Sequence, residues 1–78
     1  METITVSRLE RLGCFDAKPG QVVIFDNVPA DSGVSVPAGL GETEEEARAD
    51  AQRAAEEARI PFAVLNGPAF RIVADGDA

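Results

Sequence analysis

The chain has 78 residues, 45% of them hydrophobic, and its 14 acidic and seven basic residues give a formal net charge of −7 at pH 7. This length suits one domain with a thin core, because a domain of this size hides only about 60% of the surface that its unfolded chain exposes. The negative charge repels phosphate backbones and anionic lipid headgroups. We therefore expect no direct binding to nucleic acid or to a membrane.

Two features of the sequence indicate the cellular compartment of the protein: its apolar residues and its single cysteine. No apolar run approaches the roughly 20 residues of a membrane span, and no basic segment followed by an apolar stretch comes after Met1, as it would in a secretory signal. Cys14 has no second cysteine with which to form a disulfide, which is typical of a reducing compartment. The sequence predicts a cytoplasmic protein in which Cys14 fills space in the interior.

The first twenty residues predict a short strand, a short helix and a loop. Ile4 and Val6 alternate with polar residues, as in a strand with one buried face. Ser7 and Glu10 have the spacing of a helix capping box, and Gly13 would end a helix of one or two turns. A strand that continues to Leu12 is the competing interpretation.

The clearest strand lies between residues 21 and 28, where Val22, Val23, Ile24 and Phe25 form a continuous apolar run. Such a run is typical of a central strand covered on both faces, or of a strand packed on a helix with Phe25 closing one end. A turn is expected at 29–33. A short returning strand at Val34 and Val36 would then be ended by Pro37 or confined by it to the edge of the sheet.

One long helix is predicted from residue 44 to residue 59. Thr43 and Glu46 form a second capping box, the acidic first turn suits the helix dipole, and the helix must end before Pro61. Small residues recur along one face and would let the helix lie close to a sheet; they are Ala47, Ala51, Ala54, Ala55 and Ala58.

After the helix, residues 62–65 and 69–73 are predicted to form a hairpin around Asn66-Gly67, and residues 75–78 a disordered polar tail. The predicted fold is a single α+β domain over residues 1–78. It consists of a twisted, mainly antiparallel sheet of four to five strands with one long helix packed on one face.

The sequence offers little for catalysis or for cofactor binding. Gly39-Leu40-Gly41 resembles the start of a dinucleotide-binding turn, but Glu44 stands where the third glycine belongs and further acids surround it. We expect these residues to form a plain turn between a strand and the long helix. No histidine is present, so no nucleophilic triad can be built. Glu42, Glu46 and Asp50 could meet a cation only weakly. We expect a non-enzymatic protein with no catalytic residue, cofactor or metal.

The charge is concentrated in the long helix. Residues 1–20 carry three acids and three bases, whereas residues 42–59 carry seven acids and three bases, a net of −4. On a helical wheel, Glu46, Asp50 and Glu57 line one edge, Arg48 and Arg59 line the other, and Glu45 and Glu56 lie on the crown. We expect these acidic side chains to point into solvent. An ordinary solvated helix face would explain the same pattern. The alternative is that the acids form a recognition surface, here named the acidic ridge. Its candidate partner-binding residues are Glu45, Glu46, Asp50, Glu56 and Glu57.

The stretch from Gln21 to Ala58 resembles HicB-like antitoxins. In that family the sheet strands run through a Val-Pro turn into a helix that begins Gly-x-Thr-x-x-Glu-Ala, and these elements match Val36-Pro37 and the segment 41–47. The resemblance covers about half of the chain. It implies an antitoxin that neutralises a basic RNase toxin by masking its nucleic-acid-binding surface.

In its profile the chain also resembles phage-encoded anti-CRISPR proteins, which are small, strongly acidic single domains with a sheet and an acidic helix. This resemblance implies a monomer in the host bacterial cytoplasm that occupies the basic surface of a CRISPR effector complex, where target DNA belongs. The favoured hypothesis is therefore a DNA-mimicking inhibitor whose partner is a basic nucleic-acid-binding protein. A small structural or assembly protein is the rival class.

Overall fold

The computed structural model describes residues 1–27, 35–58 and 67–77. It confirms an α+β fold with one long helix. The elements in chain order are strand β1 (Glu2–Thr5), helix α1 (Val6–Arg11), strand β2 (Val22–Asn27), strand β3 (Ser35–Gly41), helix α2 (Glu44–Ala58), strand β4 (Ala69–Val73) and a 3-10 turn (Asp75–Asp77).

The four strands form one sheet in the order β1-β4-β2-β3. The central strand β2 pairs antiparallel with both β3 and β4, whereas β1 pairs parallel with β4. The sheet is therefore mixed, with two of its three pairings antiparallel. Among the described strands, β1 and β3 lie at the edges of the sheet.

Strand β2 is covered on both faces, which confirms the prediction of a central strand buried on both sides. On one face Val22 and Ile24 pack with Ala47 and Ala51 of α2. The opposite face packs against α1 and the segment after it, in a cluster of large and small apolar side chains: Ile4, Leu9, Ala17, Val23, Phe25 and Ile72. Alternate residues of β2 thus serve two separate cores.

The predicted short helix is confirmed, but it begins earlier than the Ser7 capping box implies. Thr5 is the N-cap, and its hydroxyl accepts a hydrogen bond from the backbone N–H of Arg8 at 3.4 Å. Val6 therefore lies in the helix and not in a strand. The helix ends at Arg11 with Leu12 as its C-cap, and Gly13 follows with a φ of 95°, in the left-handed region that glycine adopts without strain.

Strand β3 continues through Pro37 to Gly41, so the prediction that Gly39-Leu40-Gly41 forms a turn is wrong. The alternative that Pro37 lies on an edge strand is confirmed, since β3 has β2 as its neighbour on one side. The register shifts between Ile24 and Phe25, and Ala38 is the extra residue of a β-bulge.

The C-terminal residues depart from the predicted disordered tail. Asp75–Asp77 form a 3-10 turn, and the carboxylate of Asp75 accepts a hydrogen bond from the backbone N–H of Ser7 at 3.1 Å. The bond satisfies a donor in the first turn of α1, which the sequence pattern of a tail could not reveal.

Several predictions fall outside the described residues: the turn at 29–33, the strand at Phe62–Leu65 with Asn66, and the helix end at Arg59. The predicted strand at Ala69–Val73 is confirmed as β4, whose neighbours in the sheet are β1 and β2. Within the described ranges no helix is long and apolar enough to cross a membrane.

Candidate functional site

Helix α2, which carries the acidic ridge, lies in direct backbone contact with β3. A Cβ atom placed on Gly39 would stand 2.3 Å from the carbonyl oxygen of Ala47 and 2.4 Å from the backbone N of Ala51. One placed on Gly41 would stand 2.6 Å from the backbone N of Ala47. Any side chain at these two glycines would overlap the helix backbone, so the helix is held at a fixed distance from the sheet.

The start of α2 is capped by side chains, as the Thr43 and Glu46 spacing predicts. The hydroxyl of Thr43 accepts a hydrogen bond from the backbone N–H of Glu46 at 3.1 Å. The carboxylate of Glu46 reaches back to the backbone N–H of Glu42 at 3.2 Å, one residue beyond the N–H that a standard capping box uses. Glu46 is exposed, but its carboxylate already serves the helix terminus.

Asp50 joins the helix to the edge of the sheet. Its Oδ2 atom accepts a hydrogen bond from the backbone N–H of Leu40 at 2.9 Å, and its Oδ1 atom accepts one from Arg53. The side chain is half-buried, so the expectation that Asp50 points into solvent is wrong. The carboxylate satisfies a backbone donor on an edge strand, a position where an open N–H group would invite pairing with another chain.

Arg53 lies within the acidic ridge, and the sequence interpretation overlooked it. Besides Asp50, it forms an ion pair with Glu57 at 3.6 Å. These two carboxylates raise the pKa of Arg53, first through the hydrogen bond to Asp50. The i, i+3 and i, i+4 spacings were visible in the sequence and would have placed Arg53 on this edge. Exposed pairs of this kind stabilise a helix only slightly.

The remaining carboxylates of the ridge face outward. Glu45, Glu56 and Glu57 are exposed, and Glu56 accepts a hydrogen bond from Gln52 at 3.4 Å. On the other edge of α2, Arg48 pairs with Glu44 at 2.8 Å and donates to the carbonyl oxygen of Gly67. Arg48 therefore helps to attach the helix to the start of β4.

The acids of the described residues do not form a metal site. No group of three or more histidine, cysteine, aspartate or glutamate side chains among residues 1–27, 35–58 and 67–77 could hold a metal ion. Glu46 and Asp50, two of the three side chains considered for a cation, are turned toward separate backbone N–H groups. The carboxylates of α2 are thus distributed along a surface.

A second surface lies at the edge of the sheet and is named here the Phe15 groove. It has a volume of about 410 Å³ and runs between the segment Leu12–Asp16, which follows α1, and residues 36–40 of β3. Its apolar walls include Leu12, Phe15 and Val36, and Asp50 also borders it. Phe15 lies in the loop predicted after the short helix, and an aromatic residue outside any alternating or helical pattern was the available signal.

Cys14 lies on the floor of this groove. It is half-buried and packs against the α1-side core, close to the predicted role of interior filler. Burial raises the pKa of the thiol, because the thiolate loses hydration there. At neutral pH the side chain therefore behaves as a small apolar group.

No protein-family model, no curated protein and no solved structure matches this chain.

Proposed function

We propose that this chain is a non-enzymatic protein inhibitor that uses the acidic ridge to occupy the basic nucleic-acid-binding surface of an effector complex. The specific form of the proposal is an anti-CRISPR protein that blocks target DNA binding. The observation that carries it is the rigid mounting of α2, whose inner face touches the backbone of β3 while Glu45, Glu56 and Glu57 stay exposed.

The charge of the chain supports attraction to a basic surface. The net charge of −7 belongs to a small body, and the helix of 15 residues displays acids at both of its ends. At about 1.5 Å per residue, the carboxylates from Glu44 to Glu57 span roughly 20 Å. Lysine and arginine side chains that hold phosphates would be attracted to such a row, and the attraction would speed association at low salt.

The packing of α2 supports specific binding as well as general attraction. Because Gly39 and Gly41 admit the helix backbone directly, the helix has little freedom to shift on the sheet. A surface that is already ordered loses less conformational entropy when a partner binds. The exposed glutamates would thus meet a partner from a fixed platform.

The acidic ridge divides into two groups with different roles. Glu46 and Asp50 accept hydrogen bonds from the backbone and maintain the local structure. Glu45, Glu56 and Glu57 are exposed, and Glu57 pairs with Arg53 at 3.6 Å. Glu45 and Glu56 lie 11 residues apart and thus share one face of the helix. A test of recognition should change this second pair, because changing Glu46 or Asp50 would also disturb the fold.

The rival class, a structural or assembly protein, would gain support from an apolar sheet face without a covering element. Within the described residues, α2 packs on one face of the sheet at β2 and β3, and Leu9 of α1 packs with Ala17 on the other face. The burial of β2 on both faces favours inhibition of a basic partner over an assembly role.

The test measures target DNA binding by purified, guide-loaded CRISPR effector complexes of several types, with and without the chain. For an effector that the chain inhibits, Glu45→Lys with Glu56→Lys should weaken inhibition at least about fivefold. The matched control is Glu2→Lys with Glu10→Lys, two exposed acids outside the ridge, and should change inhibition less than about twofold.

Both double variants change the net charge by the same amount, from −7 to −3, because each replaces two acids by two bases. Equal losses in the two variants would mean that net charge alone matters and would contradict the acidic ridge. If no effector in the panel is inhibited by the chain, the anti-CRISPR proposal is wrong.

A further inference from the structure

We propose that the Phe15 groove binds an apolar side chain carried by a basic segment of the protein partner. This inference rests on the proposed function and adds to it. The acidic ridge would attract the partner over a distance, and the groove would hold it at short range.

The first observation is the apolar character of the groove walls. The side chain of Phe15 is 77% exposed, and Leu12 and Val36 are 40% and 41% exposed. They lie together around one depression, so their exposed surfaces are contiguous. Contiguous apolar surface of this kind marks sites of interaction in small domains, whereas single exposed apolar residues do not.

The second observation is that the floor of the groove is part of the folded core. Cys14 and Leu40 border the groove and also pack against the α1-side cluster. The backbone N–H of Leu40 donates a hydrogen bond to Asp50, which also borders the groove. The groove is therefore formed before any partner arrives.

The shape of the groove favours a side chain of a protein over a free small molecule. The depression is open to solvent along the edge of β3, between that strand and the segment Leu12–Asp16. Small-molecule sites usually enclose most of the ligand surface. An open groove can cover one face of a side chain while the rest of the partner extends along the surface.

The charges around the groove favour a basic partner. Two carboxylates border it, Asp16 and Asp50, of which Asp50 already pairs with Arg53. No lysine or arginine is found among the described residues that line the groove. Asp50 also belongs to the acidic ridge, so the two surfaces are continuous. A second copy of this chain would bring another net charge of −7 to the same place, and like charges oppose that pairing.

The experiment uses three short synthetic peptides as probes. The first is lysine-rich with one central leucine, the second has glycine in place of that leucine, and the third has the leucine between glutamates. Binding to the intact chain is measured by NMR titration and by the rate at which iodoacetamide alkylates Cys14. We expect the first peptide to bind at least about fivefold more tightly than the other two and to slow alkylation.

Substitution at the groove provides the matched test. Phe15→Ala should lower the affinity for the lysine-rich leucine peptide at least about fivefold. Phe15→Leu should retain most of this affinity because an apolar wall remains. Neither change should disturb folding, since most of the Phe15 side chain is already exposed. Chemical-shift changes should be confined to the groove and the adjoining part of the ridge.

Three outcomes would overturn the inference. The leucine and glycine peptides could bind equally, Phe15→Ala could leave binding unchanged, or sedimentation could show a dimer of the chain that Phe15→Ala dissociates. These results are distinguishable from failure of the proposed function. Effector inhibition that survives Phe15→Ala would refute the groove alone, whereas groove binding by the leucine peptide without inhibition of any effector would refute the inhibitor role.

Discussion

The two helices pack on opposite faces of one sheet by different means. Helix α2 approaches through alanine and glycine, so that its backbone touches the backbone of β3 at Gly39 and Gly41. Helix α1 has six residues and contributes Leu9 to a core of larger side chains that includes Phe25 and Ile72. The rings of Phe25 and Phe70 on this side meet edge to face, with centroids 5.1 Å apart.

Because of this difference in packing, α2 lies flat on the sheet, whereas α1 leaves part of the opposite face uncovered. Small residues on the α2 side leave no space between helix and sheet, and the outer face of that helix is free to carry charge. On the α1 side the short helix and the following segment do not extend over the whole sheet, and Leu12 and Phe15 remain exposed beside β3. The charged surface thus lies on the side where small residues pack closely, and the apolar surface lies on the side where larger side chains pack.

Gly39→Ala should have the largest effect on the platform. The added methyl group would overlap the carbonyl of Ala47 and the backbone of Ala51, neither of which can rotate away. We expect a loss of about 3 kcal/mol or more in the free energy of unfolding, measured by urea denaturation. Gly76→Ala is the control, because a Cβ atom there meets nothing within 4 Å, and it should change stability by less than about 0.5 kcal/mol. Equal stability of the two variants would contradict the close approach of α2.

Ala51→Leu tests the same contact from the helix. Ala51 is 2% exposed and its backbone faces Gly39, so a larger side chain must displace the helix or distort the sheet. The expected cost is about 1 to 3 kcal/mol. Ala49→Leu, at an exposed position of the same helix, should be nearly neutral. An unchanged or higher stability of Ala51→Leu would place the helix elsewhere.

Substitutions of Asp50 separate its hydrogen bond to β3 from its charge on the acidic ridge. Asp50→Ala removes the acceptor for the backbone N–H of Leu40 and should cost about 1 to 2 kcal/mol. Asp50→Asn keeps an oxygen acceptor and should cost less, although it removes the charge that faces Arg53. If Asn and Ala were equally destabilising in thermal melts, the ion pair would matter more than the hydrogen bond to β3.

The smallest expected effect concerns Asp75 and depends on pH. Hydrogen bonds from Ser7 hold the pKa of the Asp75 carboxyl below its usual value. A carboxyl with a lowered folded-state pKa stabilises the fold above its ordinary pKa, near about 4, and this contribution is lost as the pH falls through the folded-state value. Asp75→Ala should therefore melt below the unchanged chain at pH 7 and together with it near pH 2. A difference that persists at low pH would mean that the charge plays no part.

The sequence was sufficient for the elements whose signals are local. The apolar run of β2 predicted a strand covered on both faces, and the capping residues before α2 predicted its start at Glu44. The alanines of α2 predicted close packing on a sheet, although Gly39 and Gly41, which receive the helix, were interpreted as a turn. Glycine weakens a strand taken alone, and the partner that makes it necessary lies several residues further along the chain.

The features that the sequence could not provide depend on residues far apart in the chain. The bond between Ser7 and Asp75 joins positions 68 residues apart, and the parallel pairing of β1 with β4 brings together the two ends of the chain. Asp50 was predicted on the acidic ridge, but its bond to Leu40 depends on how α2 crosses β3. The Phe15 groove likewise depends on the segment after α1 lying beside an edge strand.

Competition between the chain and target DNA for one guide-loaded CRISPR effector complex tests the central claim most directly. The affinity of the effector for target DNA is measured at increasing concentrations of the chain, at an ionic strength near physiological. If the acidic ridge occupies the DNA-binding surface, the apparent Kd for DNA should rise in proportion to the concentration of the chain without reaching a plateau, and no ternary complex should form. A plateau in the apparent Kd, or a stable complex that contains effector, chain and DNA together, would contradict the account.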